Sequence, residues 1–219
     1  MNIYLIRHGR QNSNLCNVNV PLSKEGRKQA ELTGERLKNY NIDAVYSSDL
    51  IRAEETADII NSYINAPRFI DARLQESNFG GMTGLRNDEL KEKYKEFLNR
   101  RAQMKEDIPY PDGGENCEDV FTRAFAAIED IAKKDYENVA VVTHGGVLRA
   151  LFTGISGAPF ARWLSFGRQL ENCSISEILY DKEQETYHLE RLNDYAHFEG
   201  HDELLRKHFT TGFFTKKSK

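Results

Sequence analysis

Cysteine is scarce in this sequence. Cys16, Cys117 and Cys173 form an odd, scattered set without paired spacing, which predicts neither a disulfide framework nor a zinc site. No HExxH-type spacing, carboxylate cluster or Gly-x-x-x-x-Gly-Lys-[Ser/Thr] run occurs, so a metallohydrolase and a P-loop enzyme are disfavoured. We therefore expect a reduced, cytoplasmic protein with no metal site and no cofactor.

Long apolar runs are also missing. No stretch approaches the roughly 18 apolar residues of a membrane span, and the apolar run Ile3–Ile6 is too short for the core of a secretory signal. Positive charge is not in excess either, because the formal net charge is −4, whereas a general nucleic-acid binder carries a basic face. We expect neither a membrane nor a nucleic acid as partner.

What remains suits one globular domain. The chain has 219 residues, with 39% hydrophobic and 29% charged residues, and a chain of this length can bury a substantial core. We predict a single domain over residues 1–209, with a small helical cap inserted at residues 77–118. A basic tail is predicted at residues 210–219, and the protein is expected to be a monomer or a homodimer.

Two short apolar runs end in the same polar pair. Ile3–Ile6 leads into His8 and Val139–Thr143 leads into His144, each histidine being followed by glycine. Such runs are typical of buried parallel strands, and open α/β sheets bind ligands at the carboxyl ends of their strands. A lone histidine at a strand end is usually an ordinary polar residue. Two such units predict instead that both histidines face one site.

Arginines lie beside these strand ends. Arg7 precedes His8, and Arg52 falls in the first turn of a helix predicted to follow the strand Ala44–Tyr46. The free N–H groups and the dipole at a helix start favour an anion, so a cation there is unfavourable unless a negative ligand is close. Guanidinium groups make forked contacts with phosphate. The pattern therefore indicates a phosphate near Arg52.

The alternation of apolar runs with helical patterns predicts an α/β fold. We expect a three-layer α/β/α sandwich with helices on both faces of a mostly parallel sheet. The apolar runs at residues 174–180 and 185–192 predict an antiparallel hairpin at its edge. Helical spacing predicts a helix capped by Ser23, a single charged helix over 87–103 and a long helix over 115–134.

The run Leu5-Ile6-Arg7-His8-Gly9, with Asn14 following, resembles the signature of the histidine phosphatase (phosphoglycerate mutase-like) superfamily. Arg-His-Gly is weak evidence by itself, but further matches follow in the family's order over roughly residues 1–200. These matches are Pro21-Leu22-Ser23, Tyr46-Ser47-Ser48, Arg52-Ala53, Leu74-Gln75-Glu76, Thr143-His144-Gly145-Gly146, Asn172-Cys173-Ser174 and Leu192-Asn193-Asp194. The resemblance implies a phosphoglycerate mutase-like fold and the phosphatase-type branch of the family.

The resemblance also implies a function and its residues. It implies a metal-independent phosphomonoesterase that acts on a small phosphorylated metabolite through a phospho-histidine intermediate. His8 would attack the phosphorus, and Arg7, Arg52 and His144 would hold its oxygens as charge develops on them. Glu76 would protonate the leaving oxygen and then activate water. The other interpretation of Glu76 is a solvated loop carboxylate.

A second set of residues is expected to contact the substrate, namely Gly9, Arg10, Gln11, Asn14, Glu115 and Gly145. Glu115 lies in a loop similar to one that borders the family's substrate pocket, although charge at a helix start explains it equally well. Arg10 and Gln11 depart from the family, which commonly has Glu or Gln and then Thr or Ser at these positions. Because Arg10 brings a cation to the mouth of the site, we expect it to favour substrates with extra negative charge.

Two alternatives stay open. A phosphoglycerate mutase would use the same phospho-histidine but return the phosphoryl group to a substrate hydroxyl. Ser13 occupies the position where glycolytic mutases usually carry an aromatic residue, which favours the phosphatase. A non-catalytic phosphate-binding relative is the other alternative, and the complete set of histidines, arginines and a candidate acid argues against it.

Overall fold

A six-stranded sheet lies at the centre of the computed structural model, which describes residues 1–167 and 169–206. Its strands are β1 (Asn2–Arg7), β2 (Ala44–Ser47), β3 (Arg68–Ile70), β4 (Asn138–Thr143), β5 (Ile175–Asp181) and β6 (Thr186–Asp194). They are arranged in the order β3-β2-β4-β1-β5-β6. The first four are parallel, whereas β5 and β6 are antiparallel. The predicted mostly parallel sheet with an edge hairpin is confirmed.

Helices cover both faces of this sheet. They are α1 (Lys24–Leu37), α2 (Ile51–Ile64), α3 (Asn87–Lys93), α4 (Lys95–Ala102), α5 (Cys117–Ala132) and α6 (Gly145–Ile155). Successive residues of a strand point to opposite faces. Ile3 and Leu5 accordingly join a buried cluster with α5 and α6, whereas Tyr4 and Ile6 join a second cluster with α1 and α2. The predicted three-layer sandwich is therefore confirmed, and the run Ile3–Ile6 of β1 is apolar because both faces of the strand are buried.

The start of α1 packs tightly against the segment that follows β1. As predicted, Ser23 caps the helix, its hydroxyl oxygen accepting a hydrogen bond from the backbone N–H of Gly26 at 3.1 Å. A Cβ atom at Gly26 would lie 2.1 Å from the carbonyl oxygen of Arg10. Because that atom belongs to the backbone, it has little freedom to give way. The glycine therefore lets α1 hold the residues after β1 in place.

One sequence-based prediction is wrong, since residues 87–103 do not form a single helix. The chain leaves helical geometry at Tyr94, with φ −115° and ψ 29°, between α3 and α4. The ring of Tyr94 is buried and its hydroxyl donates to Asp112 at 2.7 Å. These contacts with the rest of the protein fix the residue outside the helical range, and no proline or glycine marks the break.

The remaining predictions concern the cap and the tail. The segment predicted as a cap contributes Met82, Leu90 and Tyr110 to the same apolar cluster as α5 and α6. The predicted basic tail at 210–219 lies outside the described residues. Within the described ranges, no helix has the length and apolar character needed to cross a membrane.

Candidate active site

The two histidines predicted to share a site lie at the ends of neighbouring strands. His8 follows β1 and His144 follows β4, and the paired register of these strands places Arg7 opposite Thr143. The backbone N–H of His8 donates to the carbonyl of Thr143 at 2.9 Å. The imidazole centroids are 5.0 Å apart. The structure therefore brings both side chains together at the carboxyl edge of the sheet, and both are buried.

The hydrogen bonds of His8 fix which ring nitrogen can react. Its Nδ1 lies 2.7 Å from the carbonyl oxygen of Gly9, so Nδ1 carries the proton and donates. Nε2 keeps its lone pair and accepts from Nε of Arg52 at 3.3 Å. Burial, together with the positive charges of Arg52 and Arg7, holds the pKa of His8 well below its ordinary value. His8 is thus a neutral imidazole, the form that acts as a nucleophile.

His144 is held from the neighbouring loop. Its Nε2 lies 2.9 Å from the hydroxyl oxygen of Ser48, and this oxygen accepts a hydrogen bond from the backbone N–H of Leu50 at 3.2 Å. Burial and the charge of Arg52 hold the pKa of His144 well below its ordinary value. Its buried Nδ1 makes no hydrogen bond within residues 1–167 and 169–206. This nitrogen is therefore available to a bound group.

Two arginines add positive charge beside the histidines. Arg52 is 2% exposed, and its guanidinium donates to the carbonyl of Val18 at 3.1 Å and to Oδ1 of Asn17 at 3.0 Å. Arg7 donates to the carbonyl of Leu170, while its buried Nε makes no hydrogen bond in the described part of the chain. These acceptors are neutral, so the charges of both arginines are left for an anion. Burial lowers the pKa of both guanidinium groups, and the positive charges of Arg206 and Arg149 lower that of Arg7 further.

Glu76 is attached to the start of α6. Its Oε1 accepts from the backbone N–H of Ser77 at 2.9 Å and from that of Gly146 at 3.0 Å. A Cβ atom at Gly146 would lie only 2.3 Å from this oxygen, so only glycine permits the contact. These contacts do not fit the interpretation of Glu76 as a freely solvated loop residue.

A cavity of about 450 Å³ opens above His8. Among the described residues, its charged lining consists of Arg7, Arg10, Arg52, Arg206 and one carboxylate, Glu76. Its apolar lining includes Leu15, Phe79 and Leu90, of which the last two come from the segment predicted as a cap. A concave site with this excess of positive charge suits a small anionic ligand.

Four of the residues predicted to bind substrate have polar or charged side chains. Arg10, Gln11 and Asn14 line the cavity, whereas Glu115 does not. Glu115 forms an ion pair with Arg123 instead, with 2.7 Å between its Oε1 and Nε of the arginine. The expected position of Glu115 at the pocket is thus not the observed one, because α5 presents an arginine that captures its carboxylate.

Gly9 and Gly145 do not line the cavity but lie beside residues that do. The carbonyl of Gly9 orients His8, and its N–H donates to Oγ1 of Thr56 at 2.9 Å. Gly145 begins α6, and a Cβ atom there would lie 3.4 Å from Nε of Arg7. Both glycines therefore adjoin the buried nitrogens of the site.

Sequence reasoning assigned no role to three residues of this site. Asn17 accepts from Arg52, as described above. Asn172 donates to the carbonyl of His8 at 2.7 Å, and its Oδ1 accepts from Nη2 of Arg206 at 2.6 Å. The run Asn172-Cys173-Ser174, which matches the family's pattern, could have pointed to Asn172. No sequence signal points to Arg206, because it lies beyond the series of residues that match the family.

The lowered pKa values of the buried histidines predict that acid destabilises the fold. Unfolded histidines take up protons near a pKa of about 6.5, whereas His8 and His144 stay neutral and burial lowers the pKa of His197 to about 4. Below about pH 6.5 the unfolded state therefore binds more protons than the folded state, and the free energy of unfolding falls. The fall is at most about 1.4 kcal/mol for each unit by which the pKa of a histidine is lower in the folded state than in the unfolded state. Urea unfolding at pH 7.5, 6.5 and 5.5 should show this decline.

A single substitution isolates the contribution of the active site to this pH dependence of stability. The variant His144→Gln should give a smaller loss of stability between pH 7.5 and pH 5.5 than the wild type. His188, exposed on β6, provides the control, and His188→Gln should keep the wild-type dependence. An undiminished dependence in His144→Gln would contradict the explanation.

Comparison with known proteins agrees with this geometry. The sequence model described as "Histidine phosphatase superfamily (branch 1)" matches residues 3–195. The chain is 39% identical to the metal-independent phosphoserine phosphatase of Arabidopsis thaliana over 167 residues, which cover 73% of this chain and 70% of that protein. It is 30% identical to the probable phosphoglycerate mutase GpmB of Salmonella choleraesuis over 217 residues, covering 94% of this chain and all of the relative.

A solved structure gives the same result. The native mycobacterial glucosyl-3-phosphoglycerate phosphatase superposes with a TM-score of 0.79 at 25% sequence identity. The match covers 88% of this chain and 98% of the other. The predicted phosphoglycerate mutase-like fold is therefore confirmed.

Proposed function

Because the chain belongs to the histidine phosphatase superfamily (branch 1) and is a phosphatase, we propose that it hydrolyses the phosphate monoester of a small metabolite, without a metal ion, through a phospho-histidine at His8. The observation that carries the proposal is the orientation of His8. Its Nδ1 is tied to the carbonyl of Gly9, and its Nε2 lies beside Arg52 in a cavity of about 450 Å³.

In the first step the phosphoryl group moves to the enzyme. The lone pair on Nε2 of His8 forms a bond to phosphorus, and the bond from phosphorus to the ester oxygen breaks. Glu76 transfers its carboxyl proton to the departing oxygen, which leaves as an alcohol. Arg7 and Arg52 supply positive charge to the phosphoryl oxygens throughout, and His144 donates a hydrogen bond to them.

In the second step water replaces the histidine. Glu76, now a carboxylate, accepts a proton from the attacking water as the water oxygen bonds to phosphorus. The bond from phosphorus to Nε2 of His8 breaks, and its electron pair returns to the nitrogen. Inorganic phosphate leaves, and the carboxyl group of Glu76 is protonated again for the next cycle.

The substrate we propose carries a second negative group. Arg10 and Arg206 line the cavity in addition to the arginines beside the phosphate site. Arg10 is held by hydrogen bonds from its backbone N–H to Gln29 at 2.9 Å and from its Nη2 to the carbonyl of Leu204 at 2.6 Å. Neither of these contacts neutralises its charge. A carboxylate or further phosphate on the substrate would do so.

The variant Arg10→Ala tests this proposal. We expect it to raise KM for 3-phosphoglycerate about tenfold, because a charge-assisted hydrogen bond is lost. For glycerol 3-phosphate, which has a hydroxyl where the first ester has a carboxylate, we expect little change. The exposed Lys28 on α1 is the control, since Lys28→Ala removes the same charge far from the cavity. Equal increases for both esters in Arg10→Ala would refute the second anionic group.

Phosphate release from a panel of esters in the presence of a chelator tests the proposed reaction itself. We expect turnover that the chelator does not diminish, and the best ester of the panel would identify the substrate class. Turnover that requires added metal would overturn the mechanism. The absence of turnover on every ester would favour the non-catalytic relative.

A mutase remains the second candidate because a full-length relative carries that name. The two activities share the first step and differ in the acceptor of the phosphoryl group. With 3-phosphoglycerate as substrate, a phosphatase releases inorganic phosphate and glycerate, whereas a mutase produces 2-phosphoglycerate. Product analysis by phosphorus NMR separates them directly.

A further inference from the structure

A single arginine holds the backbone of the segment that carries Glu76. Arg123 of α5 donates from Nη1 to the carbonyls of Arg73 at 2.7 Å and Gln75 at 2.8 Å. From Nη2 it donates to the carbonyl of Glu76 itself at 3.1 Å. One side chain thus fixes three of four successive carbonyl groups, up to and including that of the proposed acid.

Glu115 forms an ion pair with the same guanidinium. Nε and Nη2 of Arg123 donate to the two carboxylate oxygens of Glu115 at 2.7 and 2.9 Å, a forked arrangement. Glu115 in turn accepts from the backbone N–H of Asn78 at 2.7 Å, and its own N–H donates to the carbonyl of Asn78 at 2.9 Å. The pair therefore holds the segment on both sides of Glu76.

The other carbonyls of the segment are held by different elements. Thr143, the last residue of β4, donates from Oγ1 to the carbonyl of Leu74 at 2.8 Å, and Asn17 donates to the carbonyl of Ser77 at 3.1 Å. The pair of Arg123 and Glu115 is itself only 23% and 22% exposed. The segment around Glu76, which follows a short 3₁₀ turn at Ala72–Leu74, is therefore held at every carbonyl from residue 73 to 78.

We infer that Arg123 and Glu115 are positioning residues that set the place of the Glu76 carboxyl group and touch no substrate. The inference rests on the proposed role of Glu76 as the acid. Neither residue lines the cavity, so their effect must pass through the backbone of the segment. A displacement of about 1 Å in a catalytic group can lower the rate about 10²-fold.

Leaving-group chemistry gives this inference a specific readout. Nitrophenolate departs from phosphorus without a proton, whereas the alkoxide of benzyl alcohol needs one from an acid. Benzyl phosphate and 4-nitrophenyl phosphate are similar in size, so they differ mainly in their need for Glu76. A misplaced Glu76 carboxyl group should slow the cleavage of benzyl phosphate selectively, whereas general damage to the fold should slow the cleavage of both esters.

The test measures kcat/KM for both esters in Arg123→Gln, because this parameter reports the first phosphoryl transfer. We expect a fall of about 10²-fold with benzyl phosphate and less than about threefold with 4-nitrophenyl phosphate. Glu115→Gln, which keeps the shape of the side chain, should produce the same selectivity to a smaller degree. Arg123→Lys should fail to restore the wild-type ratio, because an ammonium cannot reproduce the fork.

Two further variants separate positioning from stability. Arg36 on α1 pairs with Asp194 at comparable exposure on the opposite face of the sheet, and Arg36→Gln should leave the ratio of the two esters unchanged. In the double variant Glu76→Gln with Arg123→Gln, the ratio should equal that of Glu76→Gln alone, because two residues acting through one group are not additive.

The possible results point to different conclusions. Equal losses with both esters, or a further change of the ratio in the double variant, would overturn the positioning role while leaving Glu76 as the acid. A Glu76→Gln variant that cleaves both esters with the wild-type ratio would refute the acid itself, and the positioning role with it. The selective loss described above supports both.

Discussion

Replacing His8 with alanine should lower phosphate release from every ester by about 10⁴-fold or more, because the substitution removes the nucleophile itself. The arginines and Glu76 of the cavity stay in place, so a phosphate ester should still bind. Since His8 is buried and neutral, the loss should be the same across the pH range in which the fold is stable. Colorimetric assay of released phosphate measures the loss, and equilibrium dialysis measures the binding that remains.

The covalent intermediate provides the decisive comparison. With labelled substrate and an alkaline quench, in which a phosphorus–nitrogen bond persists, the wild type should retain label on the protein and His8→Ala should retain none. His144→Ala should turn over more slowly but still become labelled, because His144 acts on the phosphoryl oxygens. Label on the His8→Ala protein would show that another residue is the nucleophile.

The variant Arg52→Gln should change activity and acid tolerance in opposite directions. Loss of one positive charge beside the transferring phosphoryl group should lower kcat/KM by about 10³-fold. Arg52 is also the leading charged neighbour that lowers the pKa of both His8 and His144. Without it these pKa values rise toward the ordinary one, and less stability is lost on acidification. The stability lost between pH 7.5 and pH 5.5 should therefore be smaller in Arg52→Gln than in the wild type.

Arg100→Gln is the control for this prediction. Arg100 is paired with Glu106 at the surface and holds no phosphate in the proposed mechanism. Its loss should have little effect on stability at either pH and leave kcat/KM within about twofold of the wild type. If Arg52→Gln instead lost as much stability on acidification as the wild type, its charge would not be what depresses the histidine pKa values.

The parts of the fold predicted from sequence are those that a local pattern specifies. The runs Ile3–Ile6 and Val139–Val142 in β1 and β4 are apolar because both faces of the sheet are covered, and this pattern placed His8 and His144 at the ends of buried strands. The cap of α1 followed from the side-chain chemistry of Ser23. Each of these features depends on residues close to one another in the chain.

The parts that were not predicted depend on distant contacts. The break at Tyr94 arises from burial and from a hydrogen bond to Asp112, which no helical period contains. Glu115 was expected at the pocket, yet its ion pair with Arg123 places its carboxylate beside the segment that carries Glu76 and not in the cavity. Arg206 reaches the cavity from the far end of the chain. Such positions are determined only once the chain has folded.

The place of β1 within the sheet also constrains when the protein becomes competent during synthesis. β1 is translated before the other strands of the sheet, yet both of its neighbours, β4 and β5, begin more than a hundred residues later, at Asn138 and Ile175. Pairing over such a separation is intrinsically slow. Until β4 and β5 are available, β1 has no strand on either side, and it is exposed to association with other chains. His8 therefore meets His144 and Asn172 only after more than a hundred further residues have been translated.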